Sequence, residues 1–304
     1  MKDLPRLIGA LLTTTVLTAC VSALNALTPS DGYQASKDIA YGNFDRQKLD
    51  VYVPADAKAG RPVVVFFYGG RWSGGSKNDY LFAAQGLVSR GFIAVLADYR
   101  VYPEVKFPGF VEDAAQAVAW TRAHIKSYGG DPQKLFIMGH SAGAHIAALL
   151  ALDKHYLHDV GGSTDWLSGM IGLAGPYDFL PLEDADLQDM FGPPERYPLS
   201  QPINFANGSA PPMLLMHGED DLTVWPRNTM HLAAKIREQG GQVKTIYYKG
   251  QGHVTIVSAM ATLLNSKVTV LDDAAAFVRE HMSAAQNKPH DDDSQISSVY
   301  QAQQ

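Results

Sequence analysis

Three residues far apart in this chain could together perform acyl transfer. Ser141 stands in Gly139-His140-Ser141-Ala142-Gly143, a Gly-x-Ser-x-Gly pattern that can place a serine on a sharp turn between a strand and a helix. A serine hydroxyl is a weak nucleophile until a neighbouring base removes its proton. A histidine suits that task, and a carboxylate then holds the ring in one tautomer and stabilises the imidazolium. Of the ten histidines, His253 lies in Gly250-Gln251-Gly252-His253, where glycines let the backbone turn the ring toward a distant serine. His124, His231 and His281 read as helical surface residues, His155 and His158 as loop residues, and His290 as part of the tail. His140 points away from the nucleophile by turn geometry, His145 packs one helical turn beneath it, and His217 reads as a turn residue. The carboxylates on offer are Glu219, Asp220 and Asp221, in a run that follows the apolar segment Met213 to Met216. A metal site through His217 is disfavoured, because no second histidine or cysteine stands at ligand spacing.

The elements needed to position these groups are legible around them. The bare pattern occurs by chance on the order of 0.1 times in a chain of this length, so its flanks decide its value. Leu135-Phe136-Ile137-Met138 reads as a buried strand before Ser141, and Ala144 to Leu150 as a helix after it. Asp38 to Tyr41 and Lys48 to Val53 read as a hairpin. Val63 to Phe67, Phe92 to Ala97, Leu167 to Leu173, Met213 to Met216 and Val243 to Tyr248 read as strands. Helices are expected over Leu81 to Arg90, Phe110 to Tyr128, Asn228 to Gln239, and within Leu263 to Met282, with Thr255 to Leu264 as a further helical candidate. The proline- and acid-rich stretch Pro176 to Pro211 is long for a connection and is expected to form a small cap over the carboxyl edge of the sheet. Alternating strands and helices imply an α/β fold, a mostly parallel sheet covered on both faces. Ligands of such sheets bind beyond the carboxyl ends of the strands, where Ser141 falls.

The chain resembles the esterase branch of the α/β-hydrolases, in particular the small carboxylesterase, feruloyl-esterase-like and kynurenine-formamidase-like group, with isoprenylcysteine methylesterases sharing the pattern. The resemblance rests on Asp98-Tyr99-Arg100, Tyr128-Gly129-Gly130-Asp131-Pro132, the segment Gly139 to Ala147 and the loops holding Asp221 and His253, and it spans about residues 45 to 282. It implies an α/β-hydrolase fold and the chain order serine, acid, histidine. The family's His-Gly-x-x-Asp-x-x-Val register puts the acid at Asp221, with Asp220 as the alternative. Tyr68-Gly69-Gly70-Arg71-Trp72 takes the place of the family's His-Gly-Gly-x-Trp loop, which implies oxyanion donors at the Gly70 and Arg71 N–H groups. Ala142, at the start of the helix, supplies a third. Tyr68 departs from the pattern, and what braces this loop is open. Trp72 is a candidate substrate contact; it, Phe107, Tyr177 and Phe179 could line a pocket or equally pack the core or the cap. Asp98 and Arg100 are expected in a structural ion pair. Arg71 could face an acidic substrate or solvent.

The implied function is a serine hydrolase acting on carboxylic esters of small or medium acyl groups. Its alternatives are an arylformamidase-type amide hydrolase and a catalytically silent binding protein on the same fold. No metal or other cofactor is called for. A formal charge of −6 without a basic cluster argues against nucleic-acid binding, and an apolar fraction of 46% suffices for a sizeable core.

Residues 1–19 have the outline of a signal peptide, with Lys2 and Arg6 followed by the apolar run Leu7 to Leu17. Leu17-Thr18-Ala19-Cys20 resembles a bacterial lipobox, which implies lipidation at Cys20, the only cysteine. Several acyl chains would anchor the protein to a membrane stably. Val21, in place of an aspartate after the cysteine, favours the periplasmic face of the outer membrane. Residues 20–36 read as lipidated cysteine and tether, 37–283 as the catalytic domain and 284–304 as a disordered tail.

Overall fold

The computed structural model describes residues 24–56 and 58–282. Its frame is one eight-stranded sheet in the order β1-β2-β4-β3-β5-β6-β7-β8. The strands are β1 (Tyr33–Ala40), β2 (Lys48–Pro54), β3 (Arg61–Phe67), β4 (Ile93–Ala97), β5 (Gly130–His140), β6 (Leu167–Leu173), β7 (Met213–Gly218) and β8 (Val243–Tyr248). β1 and β2 pair antiparallel, and β2 runs antiparallel to β4. From β4 through β3 to β8 every pair is parallel. The fold is therefore that of the α/β-hydrolases, as expected.

The central strands are continuous apolar runs because both faces are covered. β4, β6 and β7 are buried at every residue. The covering helices are α1 (Leu81–Ser89), α2 (Gly109–His124), α3 (Ala142–Leu152), α4 (Lys154–His158), α5 (Ala185–Phe191), α6 (Arg227–Glu238), α7 (His253–Ser258) and α8 (Val270–His281). α3 is buried along its whole length, so it has no polar face. By contrast α6 and α8 carry one apolar stripe and one charged face.

Several boundaries differ from the sequence reading. β1 begins at Tyr33, inside the segment read as a tether, and residues 24–27 form a helical turn. Asn25 docks on the domain, its Nδ2 donating to Asn78 O at 2.9 Å and its Oδ1 accepting from Phe82 N at 3.1 Å. β1 is an edge strand exposed over most of its length, so it lacks the apolar alternation that would reveal it. His155 and His158 lie in α4 rather than in a loop. The further helical candidate Thr255 to Leu264 overlaps α7 and a short 3-10 turn at Thr262–Leu264, and the last helix, α8, begins only at Val270. Cys20 and the leader expected before it, and the tail expected from residue 284, lie outside the described residues.

Candidate active site

Parallel strands end at the same edge, so β3, β5, β7 and β8 bring their following loops together. Ser141 directly follows β5 and adopts φ 55° and ψ −121°. That conformation is costly for a residue with a Cβ, on the order of 1–3 kcal/mol, and it lifts the hydroxyl off the sheet. The turn can be this tight because Gly143 lies against the end of β3, where a Cβ would run into the carbonyl of Phe67.

His253 is the first residue of α7. Its Nε2 lies 2.9 Å from Ser141 Oγ, and its Nδ1 lies 2.7 Å from Asp221 Oδ2. Asp221, three residues past β7, is 2% exposed, whereas Asp220 is exposed. Of the two, it is Asp221 whose carboxylate meets His253. Its Oδ1 accepts from the N–H groups of Thr223 and Val224, both at 2.9 Å. Burial disfavours its charge. The hydrogen bonds from His217, His253 and Val224 N–H outweigh that and hold the carboxyl well below the usual carboxylate range. His217 is a buried residue of β7 rather than a turn residue. Its Nε2 donates to Val224 O at 2.8 Å and lies 3.4 Å from Asp221 Oδ2, which locks the acid loop. The sequence reading missed this role; the signal available was its position at the end of a fully apolar strand.

The loop after β3 lies against the elbow. A Cβ on Gly69 would stand 2.9 Å from Ser141 Cβ. Gly70, Arg71 and Trp72 have φ of 149°, 55° and 55°. Among the described residues the Gly70 and Arg71 N–H groups make no hydrogen bond, and Ala142 opens α3, where no intrahelical acceptor exists. Three backbone donors are therefore free, one on Ala142 and two on the residues that follow Gly69 in the loop lying against Ser141.

The open question of the Tyr68 loop has a structural answer. Arg46 Nη2 donates to Tyr68 Oη and to Gly75 O, each at 2.7 Å, and its Nε donates to Tyr99 O at 2.9 Å. Tyr99 stacks on Tyr68 with ring centroids 4.6 Å apart and donates its hydroxyl proton to Tyr68 O at 2.7 Å. One arginine thus ties both ends of the loop to the segment just past β4. Sequence reasoning had no signal for Arg46.

Three further expectations are refined. Trp72 is 4% exposed; its indole packs against Phe179 and Phe191, and its Nε1 donates to His145 Nδ1 at 3.1 Å. It is part of the core under the cap rather than an open substrate contact, and Phe107 and Tyr177 are likewise buried. Arg100 pairs with buried Asp113 at 2.7 Å, while Asp98 accepts from Lys77 N–H at 2.7 Å, so the two do not pair with each other. Arg71 Nη2 meets Asp184 Oδ2 at 2.7 Å, which directs that side chain to the cap. The cap is α5 with 3-10 turns at Pro194–Ser200 and Pro202–Phe205.

His140 and His145 flank Ser141, and both are buried. Burial pushes the His140 imidazole down to about 3, with the nearby His253 acting in the same direction. It pushes His145 down to about 4. Both rings are therefore neutral near pH 7, with one N–H each. Among the described residues no cluster of three or more His, Cys, Asp or Glu side chains could hold a metal ion.

Comparisons with known proteins agree with this architecture. The family model BD-FAE matches residues 49–236. A probable isoprenylcysteine alpha-carbonyl methylesterase of Arabidopsis thaliana, ICMEL1, is 31% identical over 242 residues, covering 72% of this chain and 51% of that protein. Esterase LipQ of Mycobacterium tuberculosis is 30% identical, covering 67% of this chain and 53% of its own. The chain thus spans about half the length of these two relatives. The apo form of esterase 2 from Thermogutta terrifontis superposes with a TM-score of 0.68 at 26% identity, covering 83% of this chain and 96% of that one. With the matched segment running from β2 into α6 and an α/β-hydrolase sheet beneath it, the chain belongs to the BD-FAE family.

Proposed function

We propose that this protein is a carboxylesterase-type serine hydrolase in which Ser141 is the nucleophile, His253 the base and Asp221 the acid. The observation that carries the reading is the continuous chain Asp221–His253–Ser141, with links of 2.7 and 2.9 Å at the carboxyl edge of the sheet. Ser141 Oγ attacks the ester carbonyl carbon as its proton passes to His253 Nε2. The electron pair of the C=O bond moves to oxygen, and that oxyanion accepts from the N–H groups of Gly70, Arg71 and Ala142. Asp221 stabilises the imidazolium. Collapse of the intermediate breaks the bond to the alcohol, which leaves with the proton from His253. Water then adds to the acyl-enzyme through the same base, releasing the acid and restoring Ser141.

The esterases among the relatives and structural neighbours support this reading. Replacing Ser141 by Ala is expected to lower kcat toward p-nitrophenyl acetate by at least about 1,000-fold and to abolish fluorophosphonate labelling, with the fold intact. Wild-type turnover by that variant would refute the assignment. Esters of short and medium acyl chains assayed beside N-formyl amides separate the esterase from the formamidase reading.

The leader pattern supports a second part of the proposal, that Cys20 is lipidated and holds the domain at the periplasmic face of the outer membrane. Metabolic labelling with palmitate is expected to mark the wild type and not Cys20→Ser; equal labelling of both would refute it.

A further inference from the structure

We infer that His140, held by Tyr80, is a positioning residue that aligns the base with the nucleophile, an inference that rests on the roles proposed above for Ser141 and His253. His140 is the last residue of β5, adjacent to Ser141. Its Nε2 lies 2.9 Å from the backbone carbonyl oxygen of His253, and its Nδ1 lies 3.3 Å from Tyr80 Oη. Tyr80 Oη in turn accepts from Gly69 N–H at 3.3 Å. The rings of His140 and His253 are packed together, with centroids 4.8 Å apart.

The polarity of this chain is determined throughout. A carbonyl can only accept, so the single proton of the neutral ring sits on Nε2. Nδ1 is then an acceptor, and the Tyr80 hydroxyl donates to it. The Tyr80 oxygen keeps a lone pair for Gly69 N–H. Each group is used in one sense, and together they connect the loop after β3, the elbow strand and the start of α7. Tyr80 and His140 are 3% and 1% exposed, so water does not compete for these bonds.

The consequence for catalysis is geometric. The His253 backbone is clamped at its carbonyl by the residue that precedes the nucleophile. The base and Ser141 therefore move as one unit, and Nε2 of His253 stays aimed at Oγ. The same chain engages Gly69 N–H and leaves the next two N–H groups, of Gly70 and Arg71, for the oxyanion.

Side-chain amides test this directly. In His140→Gln the amide nitrogen can stand where Nε2 stands and still donate to His253 O. In His140→Asn it cannot reach. His140→Asn is expected to lose about 30-fold in kcat with KM within about twofold, because a misplacement on the order of 1 Å costs up to 100-fold. His140→Gln is expected to recover to within about fivefold of wild type, the worth of one neutral hydrogen bond. Tyr80→Phe, which keeps the ring, is expected to lose about fivefold. Combined with His140→Asn it adds nothing further, since Tyr80 acts through His140.

The downfield NMR signal of the proton between His253 Nδ1 and Asp221 reports the same alignment without turnover. It is expected to shift in His140→Asn and to stay in place in His140→Gln. Wild-type kcat in His140→Asn would overturn the inference. So would equal losses in the Asn and Gln variants with the proton signal unmoved. Should His140→Asn fail to fold, Tyr80→Phe with full kcat and an unmoved signal overturns it as well. In each case an inactive Ser141→Ala leaves the reading of the nucleophile standing, whereas an active one removes that reading itself.

Discussion

Ser141, the proposed nucleophile, stands between two buried neutral histidines with different partners. His140 precedes it on the strand and reaches the base side, where its Nε2 holds the backbone of His253. His145 lies one turn into α3 and reaches the cap side. There its Nε2 donates to Ser200 O at 2.7 Å, and its Nδ1 accepts from Trp72 Nε1. Both rings use both nitrogens, and both are kept neutral by burial. The difference is in what they hold. One holds the residue proposed to transfer the proton, and the other holds the cap on the aromatic core. Chemically similar neighbours of one serine should therefore separate into a kinetic and a structural role.

The base side sets the larger scale. Asp221→Asn removes the charge that stabilises the His253 imidazolium and reverses the tautomer preference of its ring. It is expected to lower kcat by about 10,000-fold with little change in KM, measured on p-nitrophenyl acetate with the thermal midpoint followed in parallel. A loss confined to stability would place Asp221 with the structural groups and break the division.

The cap side should respond in stability instead. His145→Leu leaves Trp72 Nε1–H and Ser200 O buried without a partner. At about 1–3 kcal/mol for each such group, the loss should be on the order of 3 kcal/mol by denaturant unfolding at pH 7. The effect on kcat should be far smaller than that of His140→Asn. If His145→Leu instead lost activity at full stability, the two histidines would have to exchange roles.

The smallest effect is in the pH dependence of that same variant. An ordinary histidine titrates near 6.5, and His145 is pushed down to about 4 in the folded protein. As pH falls from about 6.5 to 4 the unfolded chain takes up a proton that the folded chain refuses, so stability falls with pH across this window. The wild type should lose more between pH 7 and pH 4.5 than His145→Leu does, and the gap between the two should narrow. A gap that stays constant would show that burial does not depress the His145 imidazole.

How much of this was readable in the chain follows from how local each feature is. β6 and β8 were legible to the residue because an apolar or alternating run is a property of neighbours in sequence. β1 was only half legible, since an edge strand exposed along most of its length has no such signature. Ser141 and His253 were legible as candidates because each stands in a glycine-bearing turn just past a strand, whereas the preference for Asp221 over Asp220 came from the family resemblance. Whether Trp72 meets substrate or packs the core was open from its sequence position, and the side chain turns inward to His145, 73 residues away.

The candidates for nucleophile and base, and the strand-and-helix alternation that brings them to one sheet edge, were readable from the amino-acid order alone. They depend on turn chemistry and periodicity, which act over a few residues. The bonds that hold those groups in register were settled only by the folded chain. Arg46 on Tyr68, Tyr80 on His140 and His140 on His253 join residues 22, 60 and 113 positions apart. A buried polar group takes whichever partner the packing brings within 3 Å or so. Until the layers close around it, nothing in its own neighbourhood says which partner that will be.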